Sequence, residues 1–343
     1  MRLVSIVMPA FNAETTIETG LKALVAQDPS IAREIIVVDD GSTDRTAAIA
    51  ASAPGVRVIS QPNGGPSMAR NRGASEARGD VIVFIDSDCE AASDWLPQML
   101  APLSDPAVSG VKGAYRTRQR ALPARFVQLE YEDKYDRMAR RSHIDFVDTY
   151  SAAFRRDAFL ASGGYSTEFS TPSAEDVDLS YRMHRAGVRM VFRPQAIVFH
   201  QHPDHLGSYL RKKYRFASWR VLAVKRNPHK ILSDSHTPQL MKVQALAAPL
   251  IPAVAVLWPL VPQAGAIAAS MAAAFLLSTI PFTIKALRKD LVAGIASPIL
   301  LYLRGLAQGA GLIAGATRVL ASSRLRSAGP AAVLPGSPDR SIR

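Results

Sequence analysis

The stretch Val81-Ile82-Val83-Phe84-Ile85-Asp86-Ser87-Asp88-Cys89-Glu90 decides how the rest of this chain is read. Its apolar residues are rich in β-branched and aromatic types, which suits a strand covered on both faces. The strand runs straight into Asp86 and Asp88, and the C-terminal edge of an open α/β sheet is where ligands bind. Carboxylates this close repel each other and call for a compensating cation. Mg²⁺ or Mn²⁺ bridging a diphosphate fits, because those ions take carboxylate, water and phosphate oxygens. The other reading of Asp-Ser-Asp is a cap on a helix starting near Ala91. The stretch by itself leaves both open.

Working outward, Val4–Met8, Ile35–Val38 and Val56–Ser60 read as further strands, the first ended by Pro9. Thr15–Ala26, the segment capped by Ser42-Thr43-Asp44 and Ser67–Ala77 read as the helices between them. Such alternation predicts a mostly parallel sheet with helices on both faces. Beyond Pro97 the pattern loosens. Gly110–Gln119 is strand-like, Pro123–Arg141 a charged helix, Phe146–Phe154 a strand and Glu175–Arg185 a helix. Val188–Phe192 and Ala196–Phe199 read as two more strands.

The last third has a different chemistry. No Asp, Glu, Lys, Arg or His occurs from Val243 to Ile284. A single helix of that length would reach roughly 60 Å, twice the thickness of a bilayer core. Two spans fit better, with Pro262-Gln263-Ala264-Gly265 as the turn. Basic residues gather on either side: Arg211, Lys212, Lys213, Arg215, Arg220, Lys225, Arg226 and Lys230 before, Lys285, Arg288 and Lys289 after. They carry much of the net charge of +12. Beside two candidate spans, an anionic lipid surface is the better partner for them than nucleic acid. Positive outer ends place both on the cytoplasmic side of the membrane.

Leu206, Tyr209, Leu210, Tyr214, Ala217, Val221 and Val224 form one helical face opposite Arg211, Lys212, Arg215 and Arg226, as in an interfacial helix. A helix packed on the globular domain is the alternative. The expected organisation is therefore a catalytic domain over 1–204, a basic amphipathic segment over 205–240 and a two-helix hairpin over 241–285. A third apolar helix over 286–320, interfacial or partly inserted, and a disordered basic tail over 321–343 follow. Gly305, Gly309, Gly311 and Gly315 would let the third helix approach its neighbours closely. Cys89 is the sole cysteine, so no disulfide forms within the chain. The N-terminus has no signal-peptide pattern, and the first two-thirds are expected in a reducing cytoplasm.

Asp39-Asp40 ends the second strand, so four carboxylates gather at one sheet edge with Asp86 and Asp88. Pro9-Ala10-Phe11-Asn12 after the first strand lacks the glycines of a dinucleotide fingerprint, which sets aside a Rossmann dehydrogenase. Acids after the second strand suit a base or ribose. Glu175-Asp176-Val177-Asp178-Leu179 places further carboxylates at a helix start, where one could act as general base on a sugar hydroxyl. A simple acidic first turn is the commoner meaning of such a pattern.

In order, Ser5–Asn12, Val37–Asp44, Ala69-Arg70-Asn71-Arg72-Gly73, Phe84–Asp88, Gly163-Gly164-Tyr165 and Glu175–Leu179 resemble family-2 glycosyltransferases of the GT-A fold, over about residues 3–204. The resemblance implies inverting transfer from a nucleotide diphosphate sugar, most readily a UDP-sugar, assisted by a divalent metal. It implies that Asp40 accepts from the nucleobase with Asp39 beside it, and that Pro9, Phe11 and Asn63 line the nucleotide. Asp86 would lie near ribose and metal, Asp88 would ligate the metal, and His200 would be a third ligand or part of a surface histidine cluster with His202 and His205. Asp176 matches the catalytic base, supported by Glu175.

The sequence also departs from relatives. Lys212–Trp219 lacks the Gln-x-x-Arg-Trp spacing of processive synthases, and Cys89-Glu90 replaces the Leu-Gln of polyprenyl-phosphate sugar synthases. The expectation is therefore single-sugar transfer to a lipid-linked glycan at the cytoplasmic membrane. Polymerisation, polyprenyl-phosphate glycosylation or an inactive membrane scaffold are the alternatives. The stretch Tyr115–Asp148 is expected to shape the acceptor pocket.

Overall fold

The computed structural model describes residues 3–168, 174–226 and 238–327. Lys230 of the basic cluster, and the expected tail from 328 onward, lie outside them. The elements in order are β1 (Val4–Ala10), α1 (Ile17–Val25), β2 (Arg33–Asp39), α2 (Thr46–Ser52), β3 (Val56–Ser60), α3 (Pro66–Glu76), β4 (Val81–Ile85), β5 (Cys89–Ala91) and α4 (Trp95–Leu100). Then come β6 (Val108–Arg116), α5 (Leu122–Met138), β7 (Ser151–Arg155), α6 (Arg156–Ala161), α7 (Glu175–Arg185) and β8 (Arg189–His200). Four helices close the described chain: α8 (Leu206–Arg226), α9 (Gln239–Ala255), α10 (Pro262–Lys289) and α11 (Leu291–Ser327).

The strands form one eight-stranded sheet in the order β3-β2-β1-β4-β7-β6-β8-β5. The first four strands are parallel, as the alternation implied. The sheet as a whole is mixed, because β7 enters antiparallel to both β4 and β6. Alternate residues of β1 and β2 feed opposite cores. Ile6, Met8, Ile35 and Val37 pack with α1 and α4, while Val7, Ile36 and Val38 pack with α3, α6 and α7. Gly73 is where α3 comes down on β1 and β2: a Cβ there would strike Val7 and come within 3.2 Å of Val38.

Several local expectations are corrected. Pro9 does not end β1, which runs on to Ala10; β4 leaves the ladder after Val7↔Phe84, so the missing N–H falls where β1 is already free on that side. Asp-Ser-Asp caps no helix, since β5 follows it directly and α4 starts only at Trp95. The two strands expected over 188–199 are one strand, β8, with a register shift against β6 around Pro194. The buried run Phe146–Tyr150 precedes β7 as irregular chain rather than belonging to it.

The turn expected at Pro262–Gly265 is instead the first turn of α10, with Pro262 at the N-terminal position that proline favours. The chain reverses over 256–261, and α9 and α10 are antiparallel: Gln244 donates to Ser278 Oγ at 2.9 Å. Among the described residues two helices are long and apolar enough to cross a membrane, α10 and residues 291–321 of α11; α9 is a shorter apolar helix. α11 continues to Ser327, past residue 321 where the tail was expected to begin.

The glycine pattern does what its spacing implied. A Cβ on Gly305 would lie 2.7 Å from the Ala248 methyl and one on Gly309 2.6 Å from the Ala245 carbonyl, both on α9. Gly311 and Gly315 meet the Tyr214 and Ser218 carbonyls of α8 still more closely. α8 therefore lies along α11, the packed alternative to a free interfacial helix. Gly311→Val should part these helices; overpacking of this kind costs about 1–3 kcal/mol. A lowered melting temperature in detergent would register it, and an unchanged one would refute the contact.

The positive ends flanking the apolar block are tied to α5. Lys285 bonds Asp133 at 2.7 Å, Lys289 bonds Glu132 at 2.5 Å, and Arg125 forms a two-pronged pair with Asp290 at 2.6 and 2.5 Å. These pairs tie the block to α5.

Candidate active site

A cleft of about 880 Å³ opens where β1 and β4 part at their C-terminal ends. Pro9, Phe11, Asp40, Asn63, Asp86, Asp88, Glu175, Asp176 and His200 all line it. Asp39 does not. It is set back beneath the wall, where it accepts from the Ser42 N–H at 3.3 Å.

Asp40 has a specific local task. Its carboxylate accepts from Gln61 Nε2 at 2.7 Å, the Gly64 N–H at 2.9 Å and the Gly65 N–H at 2.8 Å. It thereby folds the loop that carries Asn63 against the cleft. The Asp-Gly-Ser-Thr-Asp run is braced from the opposite side by Asn12, whose Oδ1 accepts from the Thr43 N–H at 2.9 Å. Asn12 holds a left-handed φ of 48° to do so.

Arg70 lies on the inward face of α3 and joins two acid clusters. It bonds Asp86 at 2.6 Å and reaches Glu175 at 3.5 Å while itself almost fully buried. Asn71, next to it, accepts from the Tyr165 N–H at 2.9 Å and donates to the Tyr165 carbonyl at 2.8 Å. Gly164 makes room for that clasp, with φ of 64° and a would-be Cβ 2.6 Å from Asn71 Oδ1. Two motifs far apart in sequence are therefore joined in one clasp, which Arg182 of α7 ties down by donating to the Gly164 carbonyl at 2.7 Å.

Asp88 faces His200 across the β5–β8 pair, in which Cys89 sits opposite His200. His200 Nδ1 lies 3.4 Å from Asp88 Oδ2. The ligand atoms of Asp88, Cys89 and His200 lie within 4.8 Å of one another, among the described residues a candidate cation group. Asp88 sits deep in the concavity but its carboxylate is open to solvent. Burial works against its charge, yet His200 and then Lys212 hold its pKa below the ordinary carboxylate range. Asp86, expected at the metal, turns its carboxylate to Arg70 and stands beside this group rather than in it. His200 is not in a surface cluster: it and His202 are buried, with His200 stacked on Tyr115 and His202 on Tyr131. Of these three, His205 alone is exposed.

Asp176 opens α7. Burial first, and then the adjacent Glu175 charge, push its pKa up to about 7. A carboxylate poised near neutrality, in a cleft, is what a general base requires. Asp178 instead pairs with Arg182 at 3.0 Å, away from the cleft.

The opposite wall draws Tyr115, Tyr131, Lys134 and Asp148 from the stretch expected to shape the acceptor pocket, but its internal contacts went unread in the sequence. Lys112 is buried, paired with Asp148 and donating to Tyr150 Oη at 2.9 Å; Tyr150 stacks on Tyr115 with ring centres 3.3 Å apart. Tyr131, Lys134, Lys212, Lys213 and Arg215 complete the wall from α5 and α8. For Arg70 a signal existed: it falls with Ala69, Gly73 and Ala74 on the buried helical face, where an arginine needs acids. Asp148 fell within the stretch expected to shape the acceptor pocket, but no pattern marked its convergence with Lys112 and Tyr150, which depends on β6, β7 and the irregular run between them.

A mixed sheet of this order, with acids at the end of β4 and at the start of α7, is a GT-A-like fold. Residues 5–162 match the model of glycosyl transferase family 2. The chain is 30% identical over 242 residues to the pre-mycofactocin glycosyltransferase of Mycobacterium tuberculosis, covering 67% of this chain and 49% of that one. It is 31% identical over 232 residues to the N-acetylglucosaminyltransferase of Neorhizobium galegae, covering 62% and 54%. The chain spans about half the length of these curated relatives. In fold it is similar to a mannosyltransferase from Pyrobaculum calidifontis, solved with GDP-Man and Mn²⁺, at a TM-score of 0.59 and 23% identity over 92% of this chain and 86% of that one. The chain belongs to the family-2 glycosyltransferases.

Proposed function

We propose that the protein transfers a single sugar, with inversion, from a nucleotide diphosphate sugar to an acceptor presented at the cytoplasmic face of a membrane. The observation that carries this reading is the opening of Asp88–His200 and Asp176–Glu175 onto one cleft beside Pro9, Phe11 and Asn63. The donor set suits a divalent cation: a solvent-open carboxylate and an imidazole, close enough to share an ion, beside carboxylates whose charge needs offsetting. Asp88 and His200 would hold Mg²⁺ or Mn²⁺, which when bound offsets the charge on the departing diphosphate.

The protein's own groups do the rest. Arg70 fixes Asp86 and Glu175 relative to each other across the cleft floor. Asp176 takes the proton of the acceptor hydroxyl as its oxygen attacks the anomeric carbon. The C–O bond to the nucleotide diphosphate breaks on the opposite face, so the configuration inverts. A UDP-sugar is the donor class we favour, and α10 and α11 as membrane anchors favour a lipid-linked glycan as acceptor. The expected domain plan, with a sheet unit to about residue 204 and a membrane-embedded block after it, is part of the same proposal.

A panel of UDP- and GDP-sugars, offered with Mn²⁺ and a membrane extract to the full chain, tests the reading. One donor should be consumed only when metal is present. Failure of every nucleotide sugar to bind in calorimetry, with or without Mn²⁺, would favour the inactive scaffold instead.

A further inference from the structure

Beside Asp88 and His200 stands a third donor of a different kind, sulfur. Cys89 is the sole cysteine of the chain, and β5 sets it directly opposite His200 of β8, so both side chains project from one face of the pair. Cys89 Sγ lies 3.7 Å from Asp88 Oδ1 and 3.9 Å from His200 Nδ1, while His200 Nδ1 lies 3.4 Å from Asp88 Oδ2. A tetrahedral ion with bonds of about 2.0–2.3 Å spaces its donors roughly 3.3–3.8 Å apart. The three separations meet that spacing to within about 0.1 Å.

The two buried donors are held in place. α1 presses on the Cys89 main chain, where a Cβ on Gly20 would come within 2.9 Å of the Cys89 carbonyl. The His200 ring is stacked on Tyr115 with centres 4.5 Å apart. Asp88 is the exposed donor and opens onto the cleft, which leaves a further coordination position for water or a phosphate oxygen. A cysteine serving only as a small apolar side chain would gain nothing by turning its thiol toward a carboxylate and an imidazole.

Sulfur changes which ion such a group prefers. Mg²⁺ and Mn²⁺ suit carboxylate, water and phosphate oxygens, whereas thiolate draws Zn²⁺ and similar softer ions. Resting on the assignment of Asp88 and His200 to the metal above, we propose that Cys89 is a third donor, making this an Asp–Cys–His site for a thiophilic divalent cation of the zinc type. The thiol passes its proton to water as the sulfur–metal bond forms. Mn²⁺ uses Asp88 and His200 without the sulfur, and Zn²⁺ competes with it for the same place.

Co²⁺ titrated into the full chain in detergent tests this, because thiolate bound to Co²⁺ gives a near-ultraviolet charge-transfer band that oxygen and nitrogen donors do not. The wild type should show the band, and Zn²⁺ should abolish it by displacing Co²⁺. With one cysteine in the sequence, the band has one possible source. Cys89→Ser should lose it. Zn²⁺ outranks Mn²⁺ at most sites, so the diagnostic quantity is how far its advantage depends on sulfur. In competition followed by the electron paramagnetic resonance of Mn²⁺, that advantage should fall at least about ten-fold in Cys89→Ser. If the variant binds neither ion, the wild-type band decides. Co²⁺ bound without the band overturns the proposal, and so does an unchanged Zn²⁺ advantage in Cys89→Ser. A band in a protein that binds no nucleotide sugar with any ion would sink the transferase reading and leave this site standing. Mn²⁺-dependent nucleotide-sugar binding without the band would do the reverse.

Discussion

Asp176→Asn should lower sugar transfer by about 10²–10⁴-fold while leaving Mn²⁺-dependent donor binding close to wild type. The amide keeps the shape of the carboxylate and its place at the start of α7 but cannot take a proton. Wild-type kcat/KM should rise with pH through about 7 and then level, because the base acts only when ionised and its pKa is pushed up to about 7 by burial and by Glu175. The same shift sets a stability signature. The folded state holds the Asp176 proton more tightly than the unfolded chain, whose value is near 3.8, so stability is lost as pH rises from there through about 7. The Asn variant escapes that loss. Above pH ~7 it should melt a few degrees higher than wild type, and the gap should close as pH falls toward the unfolded carboxylate range. Transfer at the wild-type rate, or a rate flat across neutrality, would remove Asp176 from the mechanism.

How much of this was legible beforehand depends on how local the determining forces are. The βα alternation through β4 follows from apolar period and turn residues, both readable within a dozen positions, and those strands fall where the sequence puts them. The acids at the end of β4 were readable too, because strand topology delivers them to one edge; those at α7 were expected in the site from the family resemblance. What could not be read was contact made across the fold. Nothing near Asp88 announces that the three-residue β5 will lie against the end of β8, yet that pairing is what seats His200 beside it. The basic stripe of α8 was read as a face for lipid headgroups; Gly311 and Gly315 draw the helix onto α11, which turns Lys212 and Arg215 into the cleft. Arg304 is a lone charge within the apolar run of α11. It is a buried partner for Glu130 and Gln244 Oε1, at 2.8 and 2.6 Å, and a charge so placed locks helices together.

Asp86 and Asp88 should separate when each is replaced by alanine, although they are two positions apart. Asp88 is open to solvent and makes no buried ion pair apart from its approach to His200, so Asp88→Ala should fold normally and lose function. The expected loss of transfer is about 10²–10³-fold, the cost of removing one preorganised charge at a reacting diphosphate. Mn²⁺ titrated into the protein with nucleotide should no longer give the electron paramagnetic resonance change of a bound ion, a readout independent of turnover. His200→Ala should weaken the ion about 10–100-fold without abolishing it. Asp86→Ala acts differently, because it deprives a nearly fully buried Arg70 of its 2.6 Å partner and leaves only Glu175 at 3.5 Å. Breaking a buried pair from one side costs about 3–5 kcal/mol, so this variant should be visibly destabilised before any catalytic defect is measured. If Asp86→Ala kept its melting temperature and lost the Mn²⁺ signal while Asp88→Ala kept both, the two roles would have to be exchanged. That result would move the ion from the β5–β8 edge to the Arg70 side of the cleft, against the placement of every ligand atom described above.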